Sequence, residues 1–154
     1  MPTTATLAWI GENFAAEYLD NYQQVQGRRK YVHAALDYLF AYESDLASYL
    51  IDGLHTLPGI VIQGITANDA IDRRVPTVSF TASGASSADI AAMLAKQNIF
   101  VWSGHNYAIE VVKALGIYES GGVVRVGPVH YNNTAEIDRL LVALDEILQK
   151  ARAA

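Results

Sequence analysis

GGVVRVGPVHYNNTAEIDR, residues 121–139, is the stretch of this 154-residue chain that decides its fold. The β-branched run Val123–Val126 predicts a short strand between flanking glycines. Polar turn residues follow, and an amphipathic helix is predicted over residues 135–151 with Thr134 at the N-cap. A strand, a turn and an amphipathic helix in this order are typical of a sheet that helices cover on one face.

Arg125 is the charged residue in the middle of this predicted strand. An unpaired buried charge is costly, so the guanidinium must reach either water or an acidic partner. A strand arginine commonly lays its stem on the core and keeps its charged head in water. The functional alternative is that the guanidinium holds a carboxylate through two parallel hydrogen bonds, which its planar shape suits. The strand pattern alone leaves both interpretations open.

The remaining elements complete a compact fold. Apolar residues recur at helical spacing from Arg28 to Leu54, which predicts a long helix with an unusually wide apolar arc. That arc is either a wide core face or a surface for a partner domain or second subunit. We therefore expect an α/β chain of the α+β sandwich type, with a small, mostly antiparallel sheet of three or four strands under helices. Further strands are predicted at 60–65, 77–82 and 99–102, and further helices at 7–22, from 88 onward behind a serine cap, and at 107–115.

Composition excludes several classes of protein. The net charge of −5 argues against a nucleic-acid partner or an anionic membrane surface. There is no cysteine, so the chain has no disulfide, no thiol nucleophile and no cysteine-bound metal. No apolar run approaches the roughly 20 residues that cross a bilayer, and no signal peptide is visible, so we expect a cytoplasmic protein.

Three segments resemble, in the same order, the C-terminal domain of class V aminotransferases, the pyridoxal-phosphate enzymes of fold type I that include cysteine desulfurases. They are RRVPTVSFTASG at 73–84, NIFVWSGHNYAIEVVKALG at 98–116 and the stretch at 121–139. The resemblance implies that residues 1–27 are a remnant helix and loop of a large domain. It implies that residues 28–154 form the small C-terminal domain, with the long helix bridging the two.

The resemblance also implies a substrate site. Arg125 matches the strand arginine that binds the α-carboxylate of the amino-acid substrate, and the loop residues His105, Asn106 and Tyr107 are expected to contact that substrate. Tyr107 stands where desulfurases carry their catalytic cysteine. A phenol with a pKa near 10 cannot accept sulfur as a thiolate does, so desulfurase activity is not expected. An aminotransferase, lyase or epimerase reaction stays open.

The cofactor-anchoring residues of the family are expected outside this chain. Family members attach the cofactor to a lysine in a large N-terminal domain, whereas the lysines here have the spacing of helix-surface residues. We therefore expect pyridoxal 5′-phosphate only in a whole, homodimeric enzyme, with no catalytic residue and no bound cofactor in this chain alone. The alternative is a stand-alone, non-catalytic module that self-associates or binds a small acid. The four lysines are Lys30, Lys96, Lys113 and Lys150.

The other polar candidates allow two interpretations each. His105 is either a proton shuttle or a solvated loop residue. His130 and Tyr131 either line a substrate pocket or pack the entry of the last helix. The pair Arg73-Arg74 is expected to guard a sheet edge or to pair with Asp69 and Asp72 rather than to grip a phosphate. The histidines are too scattered to predict a metal site, and His33 and His55 are expected to be structural or solvated.

Overall fold

Four strands form one antiparallel sheet in the order β1-β2-β4-β3 in the computed structural model, which describes residues 2–153. Strand β4 is therefore an inner strand, and β1 and β3 are the edges. The predicted small antiparallel sheet is confirmed. The strands are β1 (Ile60–Gln63), β2 (Val78–Ala82), β3 (Trp102–Gly104) and β4 (Val123–Val126).

Five α-helices lie before, between and after these strands along the chain. The long helix and the last helix occur where the amphipathic patterns predict them, and α4 is followed by Gly116 at positive φ, as expected of a C-terminal glycine. Within residues 2–153 no helix is both long and apolar enough to cross a bilayer. The helices are α1 (Pro2–Asn13), α2 (Arg28–His55), α3 (Ser87–Ala95), α4 (Ile109–Ala114) and α5 (Thr134–Ala153), with 3₁₀ helices at Ala16–Tyr22 and Asn68–Arg73.

The chain divides within α2 into two compact units, Met1–Asp45 and Leu46–Ala154. In the first unit a methyl group on Gly11 would lie 1.8 Å from the carbonyl oxygen of Tyr31, so only glycine allows this approach of backbones. The hydroxyl of Tyr22 donates to Asp37 at 2.6 Å, and its ring stacks on His33 at a centroid distance of 5.0 Å. This unit therefore contains a close backbone contact and a cluster formed by Tyr22, Asp37 and His33.

The second unit has a single apolar core on one face of the sheet. Strand alternation turns Val78, Phe80 and Val124 toward this core, and Phe80 pairs directly with Val124. Helix α5 contributes an apolar stripe that matches the predicted one, and the hydroxyl of Tyr49 on α2 donates to Asp138 on α5 at 2.7 Å. The helical side of the core consists of Leu46, Leu50, Ile51, Leu54, Ile90, Leu94, Ile137, Leu140, Ala143, Leu144, Ile147 and Leu148.

Two predicted elements differ from the structure. The edge strand predicted at 99–102 lies instead at Trp102–Gly104, because Ile99 and Val101 pack on the core while Ser103 and Gly104 pair with β4. The single helix predicted at 7–22 is split into α1 and a 3₁₀ helix, and Ala15 between them has a non-helical backbone with ψ of 35°. Apolar spacing alone located the edge strand too early and missed this break.

Asn133, rather than the predicted Thr134, caps helix α5. The backbone N–H of Glu136 donates to Asn133 Oδ1 at 3.1 Å, and the backbone N–H of Asn133 donates to Glu136 Oε2 at 3.1 Å. This reciprocal pair is a capping box, and it needs a carboxylate three residues after the cap. Thr134 lacks such a partner because Ile137 occupies the corresponding position.

Candidate functional site

Arg125 lies on the face of the sheet opposite the helices. Its neighbours Val124 and Val126 pack on the core, so alternation along β4 turns Arg125 the other way. The ladder aligns Arg125 with Ser79 on β2 and with Trp102 on β3, and Ser79 in turn with Gln63 on β1. We call these four residues the Arg125 row.

The guanidinium of Arg125 has no partner among residues 2–153: no hydrogen bond, ion pair or ring contact reaches it. Its side chain is exposed although β4 is an inner strand of the sheet. A cation in this position points into solvent from an open sheet face rather than lying along the core. The group is therefore free to accept a carboxylate in the two-pronged geometry that guanidinium favours.

The loop that carries the other predicted site residues begins beside Arg125. Strand β3 ends at Gly104, which pairs with Val123, two residues before Arg125 on β4. Two residues of antiparallel strand span about 7 Å, so the loop leaves the sheet at that distance from Arg125 along β4. The structure thus brings the predicted loop and the predicted arginine to neighbouring positions on two paired strands.

Local hydrogen bonds fix the conformation of this loop. Asn106 and Tyr107 have φ values of 48° and 64°, a left-handed conformation that is unfavourable for residues other than glycine. The Asn106 side-chain amide donates to the carbonyl of Gly104 at 3.1 Å, and the Ala108 N–H donates to the carbonyl of His105 at 2.8 Å. The loop is therefore a defined turn in which side chains compensate for backbone strain.

The His105 ring is held by a hydrogen bond within the loop, whereas the Tyr107 side chain is almost fully exposed. The backbone N–H of Tyr107 donates to His105 Nδ1 at 3.1 Å, so the neutral imidazole carries its proton on Nε2. That Nε2–H belongs to an exposed ring and is able to donate to a ligand. Tyr107 is 99% exposed, and its ring meets that of His105 edge to face at 6.5 Å.

Gly122 positions the loop, a role that the sequence analysis missed. A methyl group at Gly122 would lie 2.4 Å from the carbonyl oxygen of Gly104 and 3.0 Å from the nitrogen of His105. Its φ of +77° also lies in the region that favours glycine. Two adjacent glycines before a strand are the available sequence signal, but they do not identify which backbone comes close.

A groove of about 440 Å³ lies apart from these residues, between the segment before β3, the segment after β4 and the start of α5. Tyr131 lines it and His130 stacks edge to face on Tyr131, so this pair belongs to the groove and not to the Arg125 row. Two polar groups of the groove already have partners, because Glu136 is in the capping box and Arg139 donates to the carbonyl of Gln97. We therefore place the candidate site at Arg125.

Arg74 stabilises the connection between β1 and β2 through hydrogen bonds to backbone carbonyls of that connection. Its guanidinium donates to the carbonyls of Ile65 at 2.6 Å, Thr77 at 2.7 Å and Val75 at 3.1 Å. Partial burial lowers the pKa of Arg74 from its ordinary value, because desolvation disfavours the charged form. The alternative in which the two arginines pair with Asp69 and Asp72 is wrong: within the described residues neither aspartate forms an ion pair, and at Arg74 three carbonyls take that role.

The lysines lie on helices or at their ends. Lys113 pairs with Glu110 at 3.1 Å, Lys96 and Lys150 are exposed, and Lys30 is half-buried near the start of α2. Over residues 2–153 no cluster of three histidine, aspartate or glutamate side chains could hold a metal ion.

Two curated proteins resemble this chain over most of its length. Aminotransferase-like protein FGM3 of Gibberella zeae is 37% identical over 113 residues, which cover 73% of this chain and 28% of that protein. A protein named "Probable cysteine desulfurase" from Pseudomonas putida is 32% identical over 127 residues, which cover 77% of this chain and 29% of that protein. The chain thus spans less than a third of the length of either relative.

A solved structure and a family model agree with these two relatives. The apo structure of a cysteine desulfurase from Thermococcus onnurineus NA1 superposes with a TM-score of 0.69 at 29% identity, covering 80% of this chain and 29% of that one. The family model described as Aminotransferase class-V matches residues 2–140. This chain belongs to the class V aminotransferase family.

Proposed function

We propose that this chain is the C-terminal part of a pyridoxal-phosphate enzyme that acts on an amino acid, and that Arg125 binds the α-carboxylate of the substrate. The observation that carries the proposal is the unpaired guanidinium on an inner strand of an open sheet face. Two parallel hydrogen bonds to a carboxylate would fix both the position and the orientation of the substrate.

A second, lysine-bearing domain completes this enzyme. The relatives are more than three times as long as the matched part of this chain, and its four lysines lie on helices or at their ends, where exposed surface lysines are common. Pyridoxal phosphate, held by that other domain, supplies the electron sink for chemistry at the α-carbon. The whole enzyme is a homodimer in this proposal, with residues 1–27 belonging to the large domain and residues 28–154 forming the small one.

Exposed apolar residues in the first unit support the presence of additional protein. Leu36 and Phe40 follow the apolar spacing of α2, yet they are 49% and 43% exposed. Trp9 and Phe14 are also exposed, with their rings in edge-to-face contact at 5.3 Å. Large apolar side chains gathered on one unit are typical of a surface that another domain or subunit covers.

The reaction type follows from the loop beside Arg125. Tyr107 replaces the cysteine of the desulfurases, and a phenol is not a sulfur acceptor at neutral pH. His105 offers an Nε2–H that can donate to a substrate oxygen or exchange a proton with it. These groups suit an aminotransferase, lyase or epimerase reaction, in which bonds change at the α-carbon and no sulfur leaves.

The test uses the longer gene product, if the reading frame that contains this chain also encodes a lysine-bearing domain. In that enzyme we expect Arg125→Ala to lower kcat/KM about 100-fold, since losing one partner of a desolvated charge pair costs about 3 kcal/mol. Arg73→Ala is the matched control, because Arg73 has no partner within residues 2–153. Unchanged kinetics for Arg125→Ala would rule out the assignment.

The gene itself separates the enzyme from the non-catalytic alternative. A reading frame without a lysine-bearing domain, and no neighbouring gene that encodes one, would favour a stand-alone module. Borohydride reduction after mixing the purified chain with pyridoxal phosphate gives a second comparison. Stable attachment at one specific lysine would contradict our view that the anchoring residue lies in the other domain.

A further inference from the structure

Trp102 is the direct cross-strand neighbour of Arg125 on the open face. The two residues are register partners between β3 and β4, and opposite residues of antiparallel strands hold their Cβ atoms about 5 Å apart. The Trp102 side chain is 73% exposed. Its indole has no hydrogen bond or ring contact with any residue in the part of the chain that the structure describes.

The Arg125 row is therefore asymmetric. On the β2 side Arg125 faces the small, polar Ser79, followed by Gln63 on β1. On the β3 side it faces the largest apolar side chain that a protein can offer. Any carboxylate that the guanidinium holds consequently has a polar neighbour on one side and an aromatic surface on the other.

An exposed indole beside a bound carboxylate favours one kind of substrate side chain. Contact between two aromatic rings gives binding free energy in addition to that from the apolar area removed from water. A methyl group is too small to cover the indole. We expect the difference between a benzyl and a methyl side chain to be about tenfold in affinity.

We propose that Trp102 determines substrate specificity and that the amino acid held by Arg125 carries a large aromatic side chain, which rests on the Trp102 indole. This inference rests on the proposed carboxylate-binding role of Arg125 and adds the class of side chain. Tyr107, another exposed aromatic residue, lies on the loop that follows β3.

The experiment uses the 154-residue chain and its intrinsic fluorescence. The chain contains two tryptophans, so Trp9→Phe leaves Trp102 as the sole indole reporter. Three probes are titrated to several hundred millimolar, because an exposed guanidinium–carboxylate pair contributes only about 0–1 kcal/mol: N-acetyl-L-phenylalanine, N-acetyl-L-alanine and N-acetyl-L-phenylalaninamide. The side-chain N–H resonance of Arg125, observed by NMR, reports the carboxylate contact separately.

We expect the phenylalanine acid to bind about tenfold more tightly than the alanine acid, and the amide to lose the Arg125 response. Trp102→Ala should bring the phenylalanine acid down to the affinity of the alanine acid, as seen by NMR, and Trp102→Tyr should restore most of the difference. Because Trp102 lies exposed on an edge strand, these variants should keep the amide spectrum of the fold.

The outcomes separate the two proposals. If both acids bind equally and both need Arg125, as tested with Arg125→Gln, the specificity role of Trp102 is wrong and the carboxylate role stands. If binding survives Arg125→Gln, the carboxylate role fails. If the fluorescence of Trp102 changes with protein concentration, a second copy of the chain covers the indole. If no probe gives a response, the site is not preformed. Either result overturns the inference.

Discussion

Replacing Gly122 by alanine should destabilise the chain more than the same change at Gly116. Both glycines have positive φ, +77° and +71°, so both variants place alanine in a left-handed conformation. That conformation costs about 1 kcal/mol. The two positions differ in space, because a methyl group on Gly116 meets nothing within 4 Å whereas one on Gly122 lies 2.4 Å from the carbonyl oxygen of Gly104.

The extra cost at Gly122 follows from that distance. Ordinary contacts of a Cβ atom begin at about 3.4 Å, so the backbones of β4 and of the loop after β3 must separate by roughly 1 Å. Overpacking of this kind costs about 2 kcal/mol, which gives a total of about 3 kcal/mol for Gly122→Ala and about 1 kcal/mol for Gly116→Ala. These losses correspond to drops in Tm of about 6–12 °C and about 2–4 °C.

Thermal unfolding and backbone amide spectra test this reasoning together. Gly122→Ala should move the amide resonances of His105 and Tyr107, since the displaced backbone belongs to their loop, whereas Gly116→Ala should leave them in place. Equal losses of Tm for the two variants would refute the argument. A large loss for Gly122→Ala without any shift in the loop resonances would refute it as well, because the contact with Gly104 would then be unimportant.

Three further variants test local contacts. Arg74→Lys should cost about 2 kcal/mol in urea unfolding because an ammonium cannot reach three carbonyls at once, and Arg73→Lys should cost almost nothing. Asn133→Ala should lower the free energy of unfolding by about 1 kcal/mol, and Thr134→Ala should lower it much less. The reverse order would indicate that Thr134 is the cap. The hydrogen bond from Tyr49 to an α5 carboxylate raises the pKa of Tyr49 from 10.0, so the chain loses stability as pH rises above 10.0. Tyr49→Phe should remove part of that loss. Identical profiles of unfolding free energy against pH for the two proteins would contradict this.

Short sequence patterns were sufficient to predict those helices and strands whose limits depend on residues close in the sequence. Strand β4 lies at the predicted residues because its β-branched run is flanked by glycines that end the pairing. Helix α2 begins at Arg28 as expected, and Ser86 caps α3 by accepting from the N–H of Asp89 at 3.1 Å. Alternation along β4 turns Arg125 away from the core, since its two valine neighbours pack there.

The features that sequence reasoning missed depend on distant partners. The position of β3 is set by its pairing with β4, about twenty residues later, and the apolar residues before β3 satisfy the core without joining the sheet. Arg74 finds carbonyls where a charge pattern suggested aspartates. The neighbour of Arg125 in the sheet was likewise unknown until the register was known, so the sequence did not reveal that Trp102 lies beside Arg125.

The open setting of Arg125 explains why the proposed second domain would matter for binding as well as for chemistry. A guanidinium in water binds an exposed carboxylate with little net gain, about 0–1 kcal/mol, because both ions give up hydration and salt screens them. The same pair becomes strong when a neighbouring domain excludes water and the two hydrogen bonds form at lower effective dielectric. An apolar neighbour such as Trp102 acts in the same direction, since covering it removes water from one side of the pair. In the proposed enzyme, this chain holds the geometry of the carboxylate site and the covering domain supplies most of its affinity.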